Sequence, residues 1–419
     1  MLSLQLCVLL AAGITAEVAV RIVKSVRGDG WSSESTRTAL EQARGATEVF
    51  SASAGGAWFK NPDDDPQRAL HLHPYFGWES GTREICTDAD LEFQRKPANA
   101  NAYELMLLGG SVASMFGIEE YGAAELRAQL LADPRFQGRE IHIMNVARGG
   151  SKQPQQVNRL VYLLALGIRI DGVIELDGFN EVALGNKNAK QGIHPVFPSG
   201  DHWAYLGSTG ATDRKGIDLM LELRLSQRAV AAACDRALDW QLYRSALFGS
   251  IALGNVHQLQ QRVGLQQEEC TRYLTLQSSN VVRGPVFASN ATGAVGESLR
   301  SWYQCSLTMQ EICRARSIHY LHVLQPTLHD KGSKPVTKRE LETGAIDPSW
   351  LQGVQLGYPR MRAAGSALRE HGVNYYDASG VFAGVEGPIY HDACHFGPPG
   401  NKILARAIAK AYLDSMPAK

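Results

Sequence analysis

The sequence predicts an α/β protein, a three-layer α/β/α sandwich of the flavodoxin type built on a five-stranded parallel sheet. Five short apolar runs recur at the spacing of strands in such proteins, and helical patterns lie between most of them. Each run is flanked by Gly, Asn, Asp or Pro, which is typical of strands buried on both faces. The predicted strands span residues 105–108, 141–146, 172–176, 318–324 and 373–377.

Helical patterns after four of these strands supply the outer layers. They cover residues 120–132, 153–168, 354–371 and 399–414. The interval between the third and fourth strands is too long for a simple crossover, and it contains loop-like residues and two long helical patterns, at 218–248 and 297–316. We therefore interpret residues 185 to about 310 as a helical insertion over the sheet and not as a second catalytic domain.

Composition and charge argue against some classes of binding partner. The 419 residues are 44% apolar and 20% charged, as expected of a globular protein with a substantial core. Lys and Arg together number 42, equal to Asp and Glu, so the formal net charge is zero. Nucleic acids and anionic membrane surfaces require a basic excess on one face, and we predict neither as a partner.

The N-terminal region divides into two predicted parts before the main domain at 71–419. Residues 2–16 are apolar, too short for a typical membrane span, and no basic residue precedes them. We expect residues 1–27 to be an export signal or membrane anchor, so that the protein is periplasmic, secreted or anchored. The alternative is an amphipathic first helix packed on the domain. Residues 28–70 are rich in Gly, Ser, Asp and Ala and are predicted to be irregular.

The seven cysteines show no CxxC pair and no Cys/His ligand spacing, so we predict no zinc or iron–sulfur site. Cys305 and Cys313 are near enough in sequence to bridge in an oxidising compartment. The odd number leaves at least one free thiol.

A serine follows the first predicted strand at Gly109-Gly110-Ser111. Two glycines allow a sharp turn, and a serine at the start of a helix presents both its hydroxyl and its backbone N–H. An oxyanion beside that N–H is also stabilised by the positive end of the helix. The alternative is an ordinary N-cap serine after a strand.

The next two strand ends carry candidate hydrogen-bond donors. Gly149 and Gly150 follow the second strand, and either can bring a backbone N–H close to a reacting carbonyl oxygen. Asn180 follows the third strand within Asp177-Gly178-Phe179-Asn180-Glu181, and its carboxamide can donate to the same oxygen. Simple turn and capping roles remain open for all three residues.

The fifth strand precedes an Asp-x-x-His pair, Asp392 and His395. An Asp three residues before a His can fold back within one turn and hold one ring nitrogen, leaving the other for a nucleophile. His391 competes for the role of base but lacks an acid at that upstream spacing. A metal half-site is the other alternative, although no matching carboxylate or His cluster completes it.

Polar groups at the carboxyl ends of parallel strands lie at one edge of the sheet, where open α/β proteins bind ligands. Their order here is a serine, a glycine, an asparagine and Asp-x-x-His. This order resembles the SGNH (GDSL-like) hydrolase superfamily over roughly residues 71–183 and 318–414. The segment HPYFGWE at 73–79 is also similar to the stretch that precedes the catalytic domain in some members.

The resemblance implies a role for each residue. Ser111 is the expected nucleophile, and its N–H forms an oxyanion hole with Gly150 and Asn180. His395 is the expected base, oriented by Asp392. The family's Gly-Asp-Ser is Gly-Gly-Ser here, and its Gly-x-Asn-Asp is Gly-Phe-Asn-Glu, but both changes retain the reacting groups.

We therefore expect a serine esterase that hydrolyses a small-molecule or glycan ester, such as a carbohydrate O-acetyl or lipid ester, through an acyl-enzyme. It needs no metal and no organic cofactor, and a membrane is a partner only through an N-terminal anchor. The main alternative is an O-acyltransferase that acts on a glycan with the same residues. A non-catalytic glycan-binding or assembly protein on this fold is the second alternative.

Overall fold

The computed structural model describes residues 2–26, 30–48, 70–80, 94–96, 99–207, 214–276 and 287–417. The described strands are β1 (Leu70–His73), β2 (Gly77–Ser80), β3 (Tyr103–Gly109), β4 (Ile141–Asn145), β5 (Gly172–Asp177), β6 (His319–Leu324) and β7 (Tyr375–Asp377). The described α-helices are α1 (Leu2–Val26), α2 (Ser33–Glu48), α3 (Ser111–Phe116), α4 (Ala124–Leu131), α5 (Gln155–Ala165), α6 (Phe179–Lys190), α7 (Gly200–Gly207), α8 (Arg214–Asp239), α9 (Ala246–Leu276), α10 (Ala291–Ala315), α11 (Lys338–Thr343), α12 (Pro348–Glu370) and α13 (Pro398–Ser415).

The chain divides into two compact units. One joins Met1–Asn61 to Gly207–Val281, and its described elements are helices. The other joins Pro62–Leu206 to Val282–Lys419 and contains the strands.

Five parallel strands form the centre of the second unit, in the order β4-β3-β5-β6-β7, which confirms the predicted fold class. Numbered within the sheet this is 2-1-3-4-5, the order of flavodoxin-like folds. Strands β3 and β5 are buried along their whole length, because helices cover both faces.

Two contacts of β5 identify the covering helices. The Tyr412 hydroxyl on α13 lies 1.8 Å from the position that a Cβ atom on Gly172 would occupy. Trp302 on α10 donates its indole N–H to Asp177 Oδ1 at 2.8 Å. Because Gly172 and Asp177 are an odd number of residues apart, they face opposite sides of the sheet. Helix α13 packs against α4 on the first side, and α10 packs with α6 and α12 on the second, which gives the three layers.

The first unit corrects part of the N-terminal prediction. Residues 28–70 were expected to be irregular, but Ser33–Glu48 form helix α2. Leu40 and Ala43 are one helical turn apart and pack in a buried cluster with Val230 and Cys234 of α8. The apolar face of this short helix is stabilised by that packing, which local composition does not reveal.

Helix α1 covers most of the predicted export signal or anchor. Glu17 accepts hydrogen bonds from the N–H groups of Ala246 and Leu247, at 2.8 and 2.9 Å, and from the Ser245 hydroxyl, at 2.7 Å. These bonds, led by the one from Leu247, lower the pKa of Glu17 to about 2. Among the described helices, none is long and apolar enough to span a membrane. Export or anchoring stays a prediction.

The predicted insertion is divided between the two units. Helices α8 and α9 replace the single helix expected at 218–248, and both belong to the first unit. Helix α10 belongs to the second unit and packs on the sheet beside α6.

Candidate active site

A sharp turn after β3 presents Ser111 at the carboxyl edge of the sheet. Gly109 has φ +141°, and a Cβ atom there would lie 2.1 Å from the carbonyl oxygen of Leu176 on β5. Only glycine fits this approach. The chain then turns at Gly110, and Ser111 becomes the first residue of α3, where its N–H has no acceptor within the helix.

His395 joins this serine to Asp392 through two short hydrogen bonds. Its Nε2 atom lies 2.7 Å from Ser111 Oγ, and its Nδ1 atom lies 2.7 Å from Asp392 Oδ2. The other carboxylate oxygen accepts the backbone N–H groups of Cys394, at 2.9 Å, and His395, at 2.8 Å. The Asp-x-x-His segment therefore folds back on itself, and its carboxylate is held from both sides.

The competing histidine occupies a different position. His391 is exposed, and its backbone N–H donates to the His395 carbonyl at 2.9 Å. This bond steadies the loop that carries His395. Among the described residues, His395 is the imidazole hydrogen-bonded to Ser111.

Burial and neighbouring charge set the protonation of this pair. Burial acts to lower the pKa of His395, but Cys394 and the Asp392 carboxylate outweigh burial and hold the pKa well above its usual value. Burial raises the pKa of the neighbouring Cys394 thiol. Burial also acts to raise the pKa of Asp392, yet its bond to His395 leaves that pKa below the ordinary range. An anionic acid beside a basic imidazole suits proton transfer from serine.

The Asn180 carboxamide lies at the turn that carries the serine. A Cβ atom on Gly110 would come within 2.4 Å of Asn180 Nδ2, so this side chain lies directly against the Gly110 backbone. The same nitrogen donates to the Ser151 carbonyl at 2.8 Å. One of its two hydrogens is thereby used, and the second remains for a ligand at the serine.

The structure distinguishes Gly149 from Gly150 as a donor. The Gly149 carbonyl accepts the Trp78 indole N–H at 3.1 Å. In a trans peptide the carbonyl and the following N–H point in opposite directions, so the Gly150 N–H points away from Trp78. No hydrogen bond between described residues uses this N–H. Gly150 has φ +70°, and a Cβ atom there would lie 2.2 Å from His202 Nε2, so this position also requires glycine.

The β1–β2 hairpin supports this glycine turn. Glu79, which is 1% exposed, accepts a hydrogen bond from Arg148 Nε at 2.7 Å and another from Arg159. His202 stacks on the Trp78 ring with centroids 4.9 Å apart. The segment at 73–79 was recognised in the sequence without a role, because its partners lie about 70 or more residues away.

A second group of ionisable side chains lies buried beneath the edge of the sheet. Burial raises the pKa values of Glu175 and Glu181 to about 8. His322 Nε2 lies 2.9 Å from Asp177 Oδ1, and the Tyr320 hydroxyl and the Gln153 carboxamide donate to Glu175. Sequence reasoning missed this group, whose members come from β5, β6, the start of α6 and the 150–153 turn.

Two sets of described side chains have the spacing of metal ligands. One is Glu175, Asp177 and His322, and the other is Asp392, Cys394 and His395, with the ligand atoms of each set within 4.8 Å of one another. In both sets the imidazole and carboxylate are already hydrogen-bonded to each other. The absence of a metal requirement stays a prediction.

A cavity of about 300 Å³ opens a few residues beyond the glycine turn. Its lining is mainly apolar, with Gln155 and Asn158 as the amide side chains. Gln155 also donates to the Phe76 carbonyl at 2.7 Å, which ties the cavity wall to the hairpin. The lining residues are Tyr75, Phe76, Pro154, Gln155, Asn158, His194, Val196, Phe197 and Pro198.

The sequence matches no family model, and no curated protein matches it. Proposals about activity therefore rest on the residues and distances given above.

Proposed function

We propose that this protein is a serine hydrolase of acyl esters, with Ser111 as nucleophile, His395 as base and Asp392 as the orienting acid. The observation that carries the proposal is the pair of 2.7 Å hydrogen bonds that links the three side chains. A hydroxyl, an imidazole and a carboxylate in this order form the arrangement that activates serine for acyl transfer. The order of polar groups along the sheet edge also supports membership of the SGNH superfamily.

The reaction begins with attack on the ester, which forms a tetrahedral intermediate. Ser111 Oγ attacks the ester carbonyl while His395 Nε2 takes the hydroxyl proton. The carbonyl oxygen becomes an oxyanion, which accepts hydrogen bonds from the N–H groups of Ser111 and Gly150 and from the Asn180 carboxamide. Donors of this kind each contribute about 3 kcal/mol where one has been removed.

Collapse of this intermediate forms the acyl-enzyme, and hydrolysis of the acyl-enzyme then returns the protein to its starting state. The tetrahedral intermediate collapses, the carbon–oxygen ester bond breaks, and His395 gives its proton to the leaving alcohol. Water then attacks the acyl-Ser111 carbonyl, with His395 again taking the proton. The new tetrahedral intermediate collapses, the bond between the acyl carbon and Ser111 Oγ breaks, His395 returns the proton to Oγ, and the carboxylic acid leaves. Asp392 stays ionised throughout and stabilises the imidazolium.

The length of the acyl group that the site accepts can be tested directly. Purified protein should hydrolyse p-nitrophenyl esters, and acetate, butyrate and octanoate esters compare the fit of the acyl group. Parallel reactions with an added sugar acceptor distinguish hydrolysis from transfer, because transfer yields an acylated sugar at the expense of free acid. Absence of hydrolysis and of transfer with every ester would contradict the proposal.

A further inference from the structure

Glu181 is a buried carboxylate that immediately follows the proposed oxyanion residue Asn180. It is 2% exposed, yet it is not bonded to an arginine or lysine among the described hydrogen bonds. Its two oxygens instead accept two backbone N–H groups. Oε2 accepts from Gly178 at 2.9 Å, and Oε1 accepts from Gln153 at 3.0 Å.

These two N–H groups belong to different loops of the site. Gly178 begins the β5–α6 turn that carries Asn180, with φ +123° and a Leu324 methyl 2.4 Å from where its Cβ would lie. Gln153 lies three residues beyond Gly150, in the turn that follows β4. A single side chain therefore connects the loops that supply two of the three proposed oxyanion donors.

We propose that Glu181 is a positioning residue that holds the Gly150 and Asn180 donors in the correct relative position by bridging their two loops. The inference rests on the proposed function, because it assigns Glu181 a role in stabilising the oxyanion. Asn180 also connects these two loops, because its Nδ2 atom donates to the Ser151 carbonyl oxygen. The hydrogen bonds to Glu181 fix the backbone of the two loops at Gln153 and Gly178. Small misplacement of such donors lowers the rate of reaction strongly.

The chemistry of a carboxylate suits this bridge. Both oxygens of a carboxylate accept hydrogen bonds, so Glu181 can accept both N–H groups at once. These two bonds favour its ionised form, against the burial that raises the pKa of Glu181 to about 8. A glutamine of the same shape presents one acceptor oxygen and one NH₂ group, and the NH₂ faces an N–H that it cannot bind. An aspartate keeps the charge but is one methylene shorter and cannot span the same two loops.

The main experiment measures kcat and KM of Glu181→Gln with a p-nitrophenyl ester, normalised to active sites titrated with a fluorophosphonate. We expect kcat to fall by about tenfold or more with little change in KM, because the donors act mainly in the transition state. Normalisation counts only enzyme with a reactive serine, so loss of folded protein does not imitate the effect. Unchanged kcat would overturn the proposal.

Two comparisons separate positioning from general stability. Glu104→Gln also removes a buried carboxylate, one that is bonded to His142 and Arg169 at the opposite, amino-terminal end of β3. We expect this control to lower the melting temperature and leave kcat unchanged. We expect kcat of Glu181→Asp to be reduced as well, because the shorter side chain cannot reach both N–H groups. Full activity in that variant would overturn the proposal, since it would show that charge suffices without the bridge.

A double mutant tests whether Glu181 acts through the oxyanion donors. If it positions Asn180, then Glu181→Gln should lower kcat less in the Asn180→Ala background than in wild type. Two fully independent losses would overturn the proposal. A failure of the proposed function itself would give another result, because wild type would then neither hydrolyse esters nor react with the fluorophosphonate.

Discussion

His395 Nε2 lies 2.7 Å from Ser111 Oγ, although 284 residues separate the two in the chain. The serine follows the first strand of the sheet, and the histidine precedes the last helix. The fold brings them together because both lie at the carboxyl edge of one parallel sheet.

Replacement of the proposed nucleophile should abolish activity. Ser111→Ala removes one oxygen from a half-buried residue, so we expect the melting temperature to stay near that of wild type while ester hydrolysis falls to background. A fluorophosphonate should label wild type and not this variant. Ser114→Ala and Ser151→Ala serve as matched controls and should be labelled normally. Labelling of Ser111→Ala would place the nucleophile at another residue.

Asn180→Ala should affect the chemical step more than binding. The carboxamide is proposed to bind charge that develops in the transition state, so we expect kcat to fall by about a hundredfold or more with little change in KM. Steady-state kinetics with one p-nitrophenyl ester measure both constants. A rise in KM with unchanged kcat would instead make Asn180 a ground-state binding residue.

The pH dependence of kcat/KM should report His395. Only the unprotonated imidazole can take the serine proton, so activity should rise with pH. The inflection should lie above the usual 6.5, because the pKa of His395 is raised. Asp392→Asn removes the negative charge and should move the inflection to lower pH while lowering the rate. An inflection unmoved by that change would contradict the assigned role of Asp392.

Two controls accompany the pH profile. His395→Ala should remove most of the rate together with this inflection, since it removes the imidazole that is hydrogen-bonded to the serine. EDTA should leave the wild-type profile unchanged, because His395 takes the proton and Asp392 orients it without a metal ion. Inactivation by EDTA, or an active and stable His395→Ala variant, would refute the triad.

Glu175 should make stability depend on pH in a definite direction. Burial raises its pKa from 4.5 to about 8 in the folded protein, so the folded state binds the proton more tightly than the unfolded state. Its contribution to stability is full below about pH 4.5 and is lost as pH rises through about 8. The melting temperature of Glu175→Gln should therefore decline less between acidic and alkaline pH than that of wild type.

Glu342→Gln is the control for this measurement, because that side chain is 65% exposed. Its melting curve should follow wild type across the pH range. Equal declines in wild type and Glu175→Gln would show that Glu175 does not carry this dependence.

The class of fold and the outline of the candidate site were predictable from the sequence. Strands buried on both faces produce continuous apolar runs, and their spacing with helices identifies a parallel sheet without knowledge of any contact. The Gly-Gly-Ser turn and the Asp-x-x-His segment are also local features. Each lies within a few residues, so sequence alone could place Ser111 at the end of a strand, and Asp392 and His395 together between the last strand and the last helix.

Other features were not predictable because their partners are far apart in the chain. Helix α2 is ordered by packing against residues of α8, and composition indicated an irregular segment there. The network around Glu175 and the support that Glu79 provides to Arg148 join separate strands and loops. Burial and strand order create these contacts, and neither can be read from a local pattern.

The sequence by itself determined the residue types at each strand end and the order of those strands along the chain. Tertiary structure alone decided which atoms meet. It selected His395 over His391 as the partner of Ser111, and it oriented the Gly150 N–H through the bond from Trp78 to Gly149. Hydrogen bonds act over about 3 Å. Such choices therefore depend on the register of the sheet and the packing of its loops, which sequence spacing does not specify.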